Sequence, residues 1–183
     1  MADTGGSETE NILRHWREAV PNDRLAHLVR DAARALVRSL SIRLAEYHVS
    51  FGHWSFLRVL WVGDGITQRE LSERAGVMEP TTFSAIKTME RLGYVVRRQH
   101  DGDRKKVYIH LTPKGRLLEK RLVPLAEEVN RIAVDGVAAE HVAITRAVLL
   151  AMIENLAMDQ SVSTKQLPST RVIAKLARSR ARK

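Results

Sequence analysis

The segment from residue 81 to residue 106 holds the side chains best placed for chemistry in this 183-residue chain. Thr81, Thr82, Ser84, Lys87, Thr88 and Arg91 recur at helical spacing, so one rod would present short hydroxyls and cations together. Groups of that size reach base edges, thymine methyls and phosphates in the major groove of a DNA duplex. Arg97 and Arg98 follow on a strand-like stretch, and Arg104, Lys105 and Lys106 lie on the turn beyond it. A narrow cationic finger suits the minor groove, whose negative potential favours Arg and Lys. Either element alone would pass for an ordinary solvated surface. Their order and spacing point to double-stranded DNA.

Other chemistries find little support. Cys is absent, which removes a disulfide scaffold, a thiolate nucleophile and a Cys-ligated zinc site. The histidines, His15, His27, His48, His53, His100, His110 and His141, form neither an HExxH motif nor an i, i+4 pair. No metal and no cofactor is expected, with His48 and His53 the nearest approach to a ligand pair. There is no glycine-rich phosphate loop, no G-x-S-x-G elbow and no carboxylate pair in an apolar setting. Asp101 and Asp103 flank Gly102 in a basic turn, which is a turn-forming arrangement. An enzyme is therefore not expected.

No apolar run approaches the ~20 residues that span a bilayer. The start, Met1 to Glu8, lacks the basic and apolar regions of a secretory signal. The expectation is a cytoplasmic protein that associates with DNA. Lys and Arg number 30 against 21 Asp and Glu, a net charge of +9. Seven of those cations and no acid lie from Ser161 onward, so residues 1–160 carry only +2. Net charge says little about the folded part; the placement of hydroxyls and cations has to carry the argument.

The elements that position these groups follow from periodicity. Residues 1–10 are small and polar and read as a disordered start. Asn11 to Val20 reads as a short helix ended by Pro21. Asn22 or Asp23 then caps a rod in which Leu25, Leu28, Val29, Ala32, Leu36, Leu40, Leu44 and Tyr47 recur. At ~1.5 Å per residue this rod is roughly 37 Å long, more than one small domain covers. Ser50 to Val62 is the most apolar stretch and reads as a central buried helix. Thr67 with Glu70 forms a capping box for a short helix ending at Ala75, and Gly76 makes the turn. The next helix opens at Pro80, turns Ile86, Met89 and Leu92 inward with Phe83 contributing, and stops at Gly93. Tyr94–Gln99 and Lys106–Thr112 read as a hairpin. Pro113 starts a helix interrupted near Pro124, and a last helix runs from about Ala138 to Met158. Ser169-Thr170 caps a short basic helix in the tail, or residues 161–183 form an unfolded arm. The fold is thus mainly α with a small β-hairpin: a winged helix-turn-helix at 63–112, with helices at 11–62 and 113–160.

These residues resemble the MarR family of bacterial transcription regulators. The likeness lies in Leu71-Ser72-x-x-Ala75-Gly76-Val77, Glu79-Pro80-Thr81, Met89-Glu90-x-x-Gly93-Tyr94-Val95, Asp101-x-Asp103-Arg104 and Leu111-Thr112-x-x-Gly115. It implies a homodimer, built through the first long helix and the last two, with one winged domain on each half of a palindromic operator. The family carries Asp-x-Arg at the hairpin tip. Here the aligned pair is Asp103 and Lys105, so Arg104 is expected to take the minor-groove role, since Lys lacks the guanidinium fork. The resemblance also implies a pocket beside Tyr47, His48, His53, Trp54 and Leu57. Two imidazoles beside aromatic rings suit a small aromatic carboxylate or phenolic effector, benzoate-like or hydroxylated pyridine-carboxylate-like. The bland alternative makes His48 a solvated helix end and His53 a satisfied interior group.

The expected function is a dimeric repressor that a small aromatic acid releases from its operator. A ligand-independent or architectural DNA-binding factor is the alternative, followed by a protein-interaction adaptor.

Overall fold

The computed structural model describes Leu13, residues 25–100 and residues 103–159, without the side chains of residues 100 and 103–105. The start at 1–10, the helix expected at 11–20 apart from Leu13, the cap at Asn22 or Asp23 and the tail at 161–183 lie outside the described residues. The chain divides after Ala133 into two compact units. In the first, α1 is Leu25–Ala45, α2 Phe51–Val62, β1 Ile66–Thr67, α3 Gln68–Ala75 and α4 Glu79–Arg91. Strands β2 (Val95–His100) and β3 (Asp103–Leu111) come next, then α5 (Pro113–Ala133).

Helix α1 has 21 residues, about 31 Å, and stops short of Tyr47. Its end explains why. His48 adopts φ 58°, the left-handed region. The Val49 N–H donates to Leu44 O (3.1 Å) and the His48 N–H to Ala45 O (2.9 Å), the paired bonds of a Schellman turn. Val49 and Leu44, which that turn brings together, are both buried. Gly76 closes α3 in the same way and Gly93 comes after α4, at φ 64° and 74°. At His48 the β-carbon makes this conformation costly. His48→Gly is expected to stabilise the fold by about 0.5–1 kcal/mol, after the added freedom of glycine in the unfolded chain. The urea midpoint should rise with an unchanged slope.

The core gathers around α2. Phe56, Leu57 and Leu60 are buried with Leu44 of α1, Leu71 of α3, Ile86 and Met89 of α4, and Leu122 of α5. Val95 and Ile109 close it from the sheet. That sheet has three antiparallel strands in the order β1-β3-β2 rather than a lone hairpin. Ile66 faces Ile109 and Val95 faces Leu111 across it, with an irregularity between Gln99 and His100. Asp64 ties the approach to β1 to the end of β3 and the start of α5. Its carboxylate accepts from the Leu111 N–H (2.7 Å) and from Arg116 (2.8 Å).

Pro124 does not interrupt α5, which runs unbroken through it. Proline removes one donor and crowds the carbonyl four residues back. Leu122 and Val129, buried on either side, keep the two halves of the helix on one packed face.

In the second unit, α6 spans Ala139–Ala157, and none of its 19 residues is buried. Ile144, Val148, Leu149, Leu150, Ile153 and Leu156 are all exposed on it. No helix among the described residues is long and apolar enough to cross a membrane.

Candidate nucleic-acid interface

Local chemistry fixes α3 and α4 before packing does. The Glu70 N–H donates to Thr67 Oγ1 (3.2 Å) and the Thr67 N–H to Glu70 Oε2 (2.7 Å), so the capping box is complete. Gly76 then turns the chain, and Pro80 sits in the first turn of α4. One buried polar contact sets the two helices against each other. Ser72 Oγ donates to Thr82 Oγ1 (2.8 Å), and Thr82 Oγ1 donates to Met78 O (3.2 Å).

Thr82 is therefore inside, at 0% exposure, and does not share the outward face expected for it. Phe83, expected inside, is 50% exposed. The reason lies in the helical wheel. At about 100° per residue, position 82 falls within roughly 40° of both Ile86 and Met89, whereas 83 is roughly 120° from Met89. Position outweighs polarity here because the threonine hydroxyl finds buried partners.

Thr81, Ser84, Lys87 and Arg91 are exposed on α4, with Thr88 half-buried beside them. The Ser84 hydroxyl donates to Pro80 O and the Thr88 hydroxyl to Ser84 O, each at 3.2 Å. Their protons are engaged along the helix, so both oxygens face outward as acceptors. Lys87 and Arg91 supply the donors.

The hairpin is held against α4 by an ion pair. Arg97 donates from Nε (3.0 Å) and Nη2 (2.6 Å) to Glu90 Oε2. These hydrogen bonds hold the Glu90 carboxyl below the usual carboxylate range. The bridge is consequently whole above that range and is lost as pH falls through the lowered value. Arg97 acts as a strut between helix and strand, which its reading as a DNA contact did not foresee. Lys106 is exposed on β3; the side chains of Arg104 and Lys105 lie outside the described residues. At the base of the hairpin, Thr112 Oγ1 donates to Gly93 O (2.6 Å) and accepts from the Gly115 N–H (3.0 Å). Lys114 Nζ caps the end of α4 by donating to Leu92 O (2.9 Å).

A second feature is a cavity of about 600 Å³ among α1, α2 and α5. Leu36, Leu40, Trp54, Arg58, Trp61 and Val123 form much of its wall, with Glu119 and Glu127 on the α5 side. The rings of Trp54 and Trp61 meet edge to face, 5.5 Å apart. Of the five residues expected at a ligand site, only Trp54 lines this space. Leu57 is in the core, Tyr47 packs half-buried against it, and His48 closes α1. His53 is half-buried, and burial lowers its pKa, which disfavours its cationic form. Arg58 and Trp61 were missed, although their spacing from Trp54, i+4 and i+7, places all three on one helical stripe. Among the described residues, no group of three His, Asp or Glu could hold a metal ion.

A capped helix, a glycine turn, a second helix with an outward hydroxyl and cation face, and a hairpin braced against it define a winged helix-turn-helix DNA-binding protein. The model of the MarR family matches residues 49–107. The uncharacterized HTH-type transcriptional regulator YwoH of Bacillus subtilis (strain 168) is 30% identical over 109 residues, 60% of this chain and 74% of that protein. The homoprotocatechuate degradative operon repressor of Escherichia coli is 29% identical over 102 residues, 56% and 67% of the two chains. The crystal structure of a MarR transcriptional regulator from Methanosarcina mazei Go1 matches with a TM-score of 0.67 at 25% identity, covering 74% of this chain and 96% of that one. The chain belongs to the MarR family of transcriptional regulators. Its relatives are regulators, not enzymes.

Proposed function

We propose that this regulator is a homodimeric repressor that a small aromatic acid releases from a palindromic operator. The observation that carries the reading is the split face of α4. Its inner side is pinned by Thr82, Ile86 and Met89, while Thr81, Ser84, Lys87 and Arg91 are exposed to solvent. A fixed rod with outward acceptors and cations suits the major groove. The finger formed by β2 and β3, with Arg104, Lys105 and Lys106, goes to the minor groove beside it.

Dimerisation is supported by apolar surface that one copy leaves wet. Leu25, Leu28 and Ile42 are exposed on α1, and α6 buries nothing. A helix with so apolar a composition needs a partner to be stable in water. Two-fold pairing would bury it and set the two α4 helices about one DNA turn, ~34 Å, apart.

The effector is assigned to the cavity of α1, α2 and α5, whose volume suits a small molecule. Arg58 is the cation of its wall, so a carboxylate would sit there, with the ring against Trp54 and Trp61; Glu119 and Glu127 keep the anion off the α5 side. The similar E. coli protein is, by its name, the repressor of a homoprotocatechuate degradative operon. Release requires the effector to prefer a dimer whose α4 helices are mis-spaced for the operator.

A mobility shift on the DNA upstream of the protein's own gene, repeated with a panel of aromatic acids, tests each part. One discrete complex, weakened ~5–150-fold by a panel member, is expected. Arg58→Met should keep the complex and lose the response. Coating of unrelated DNA with equal strength would favour the architectural reading. A discrete complex that no acid weakens would remove the effector assignment alone.

A further inference from the structure

We propose that Phe83 is a specificity-determining residue that reads the 5-methyl group of a thymine in each operator half-site. The inference deepens the DNA-binding reading above and rests on it. Phe83 lies in the second turn of α4, flanked by Pro80 three residues before and Lys87 four residues after, both exposed on the same side. It is half exposed in a helix whose inner stripe, Thr82, Ile86 and Met89, is complete without it. Folding gains little from an aromatic ring there, since phenylalanine is a weaker helix former than alanine and half of the ring stays in water.

The surroundings give the ring a use. Beyond Pro80 in the first turn, the other exposed side chains of α4, Glu79, Thr81, Ser84, Lys87 and Arg91, are polar and suit hydrogen-bonding edges and phosphates rather than an apolar group. In the major groove, the one apolar feature that tells bases apart is the thymine methyl, and phenylalanine is among the side chains that contact it. Glu90, one heptad beyond Phe83, is held by Arg97 of β2. Phe83 therefore stands on the flank of α4 that the hairpin braces. A ring on a braced helix meets the groove in one position, as reading a single methyl requires.

The experiment selects a binding duplex from a random DNA pool with the full chain, then replaces its thymines one at a time by deoxyuridine, which removes only the methyl. At fixed salt, one position in each half-site is expected to lose about fourfold in affinity on replacement, and both together about 15-fold, the value of one buried methyl per subunit. Phe83→Ala should bind the thymine duplex as weakly as the wild type binds the doubly replaced one or more so. It should show no further loss at those uridines, while its melting temperature stays unchanged. Equal affinity of Phe83→Ala and wild type, or undiminished sensitivity of the variant to the same uridines, would overturn the assignment and leave DNA binding intact. Recovery of no common sequence by the wild type would overturn the reading beneath it as well.

Discussion

Gly115→Ala is expected to destabilise the fold by about 3 kcal/mol or more, lowering the melting temperature by roughly 6–12 °C. The residue sits in the first turn of α5, where the backbone itself would accept alanine. Space is the obstacle. A β-carbon there would overlap the Tyr94 carbonyl oxygen and stand 3.1 Å from Leu111 Cδ2. Neither neighbour can yield cheaply, because Tyr94 O already accepts from the Thr112 N–H (3.0 Å) and Leu111 is buried. The Gly115 carbonyl also accepts from Trp61 Nε1 (3.0 Å), so a shifted helix breaks that bond too. Gly63→Ala is the matched control: nothing lies within 4 Å of the position its β-carbon would take. It should melt within about 2 °C of the wild type. Equal melting of the two variants would show that α5 and the Tyr94 backbone can part without cost.

Lys87→Glu is expected to weaken operator binding by about 30-fold or more. A single recognition contact is worth about 1–3 kcal/mol, and two subunits lose it together. Lys87 is exposed near the middle of α4, so the change leaves the core alone and sets a carboxylate against phosphates and base acceptors. Lys120→Glu, an equal change of charge on the exposed side of α5, separates a local effect from net charge. It should alter affinity by only a fewfold at physiological salt, where the Debye length is about 8 Å. The salt dependence of the residual binding should also become shallower for Lys87→Glu. Similar losses in both variants would mean that the protein holds DNA through bulk charge.

What the sequence made legible was local. The box of Thr67 and Glu70, the turn at Gly76, the stop at Gly93 and the switch to strand period after Tyr94 each involve neighbours in the chain, and each is present. Features resting on distant partners were not legible. Strand β1 is two residues long and has no period to read; it exists because β3 offers an edge. Thr82 and Phe83 exchanged places because polarity was weighed before angular position, and the partner that makes a buried threonine tolerable, Ser72, lies ten residues away. Arg97 read as a free cation because Glu90 meets it across a turn, at a spacing no helix or strand rule marks. Of the residues expected at a pocket, Trp54 lines the cavity, and Arg58 and Trp61, which share its helical stripe, were not singled out because their neighbours across the cavity lie on α1 and α5.

The position of those two indoles gives the molecule an optical reporter of its own. Trp54 and Trp61 meet edge to face in the wall of the cavity, and the nitrogen of Trp61 is tethered to the Gly115 carbonyl in the first turn of α5. Whatever enters between α1 and α5 must change the polarity around both chromophores. Entry can therefore be tracked by their ultraviolet emission, without a dye and in the absence of DNA.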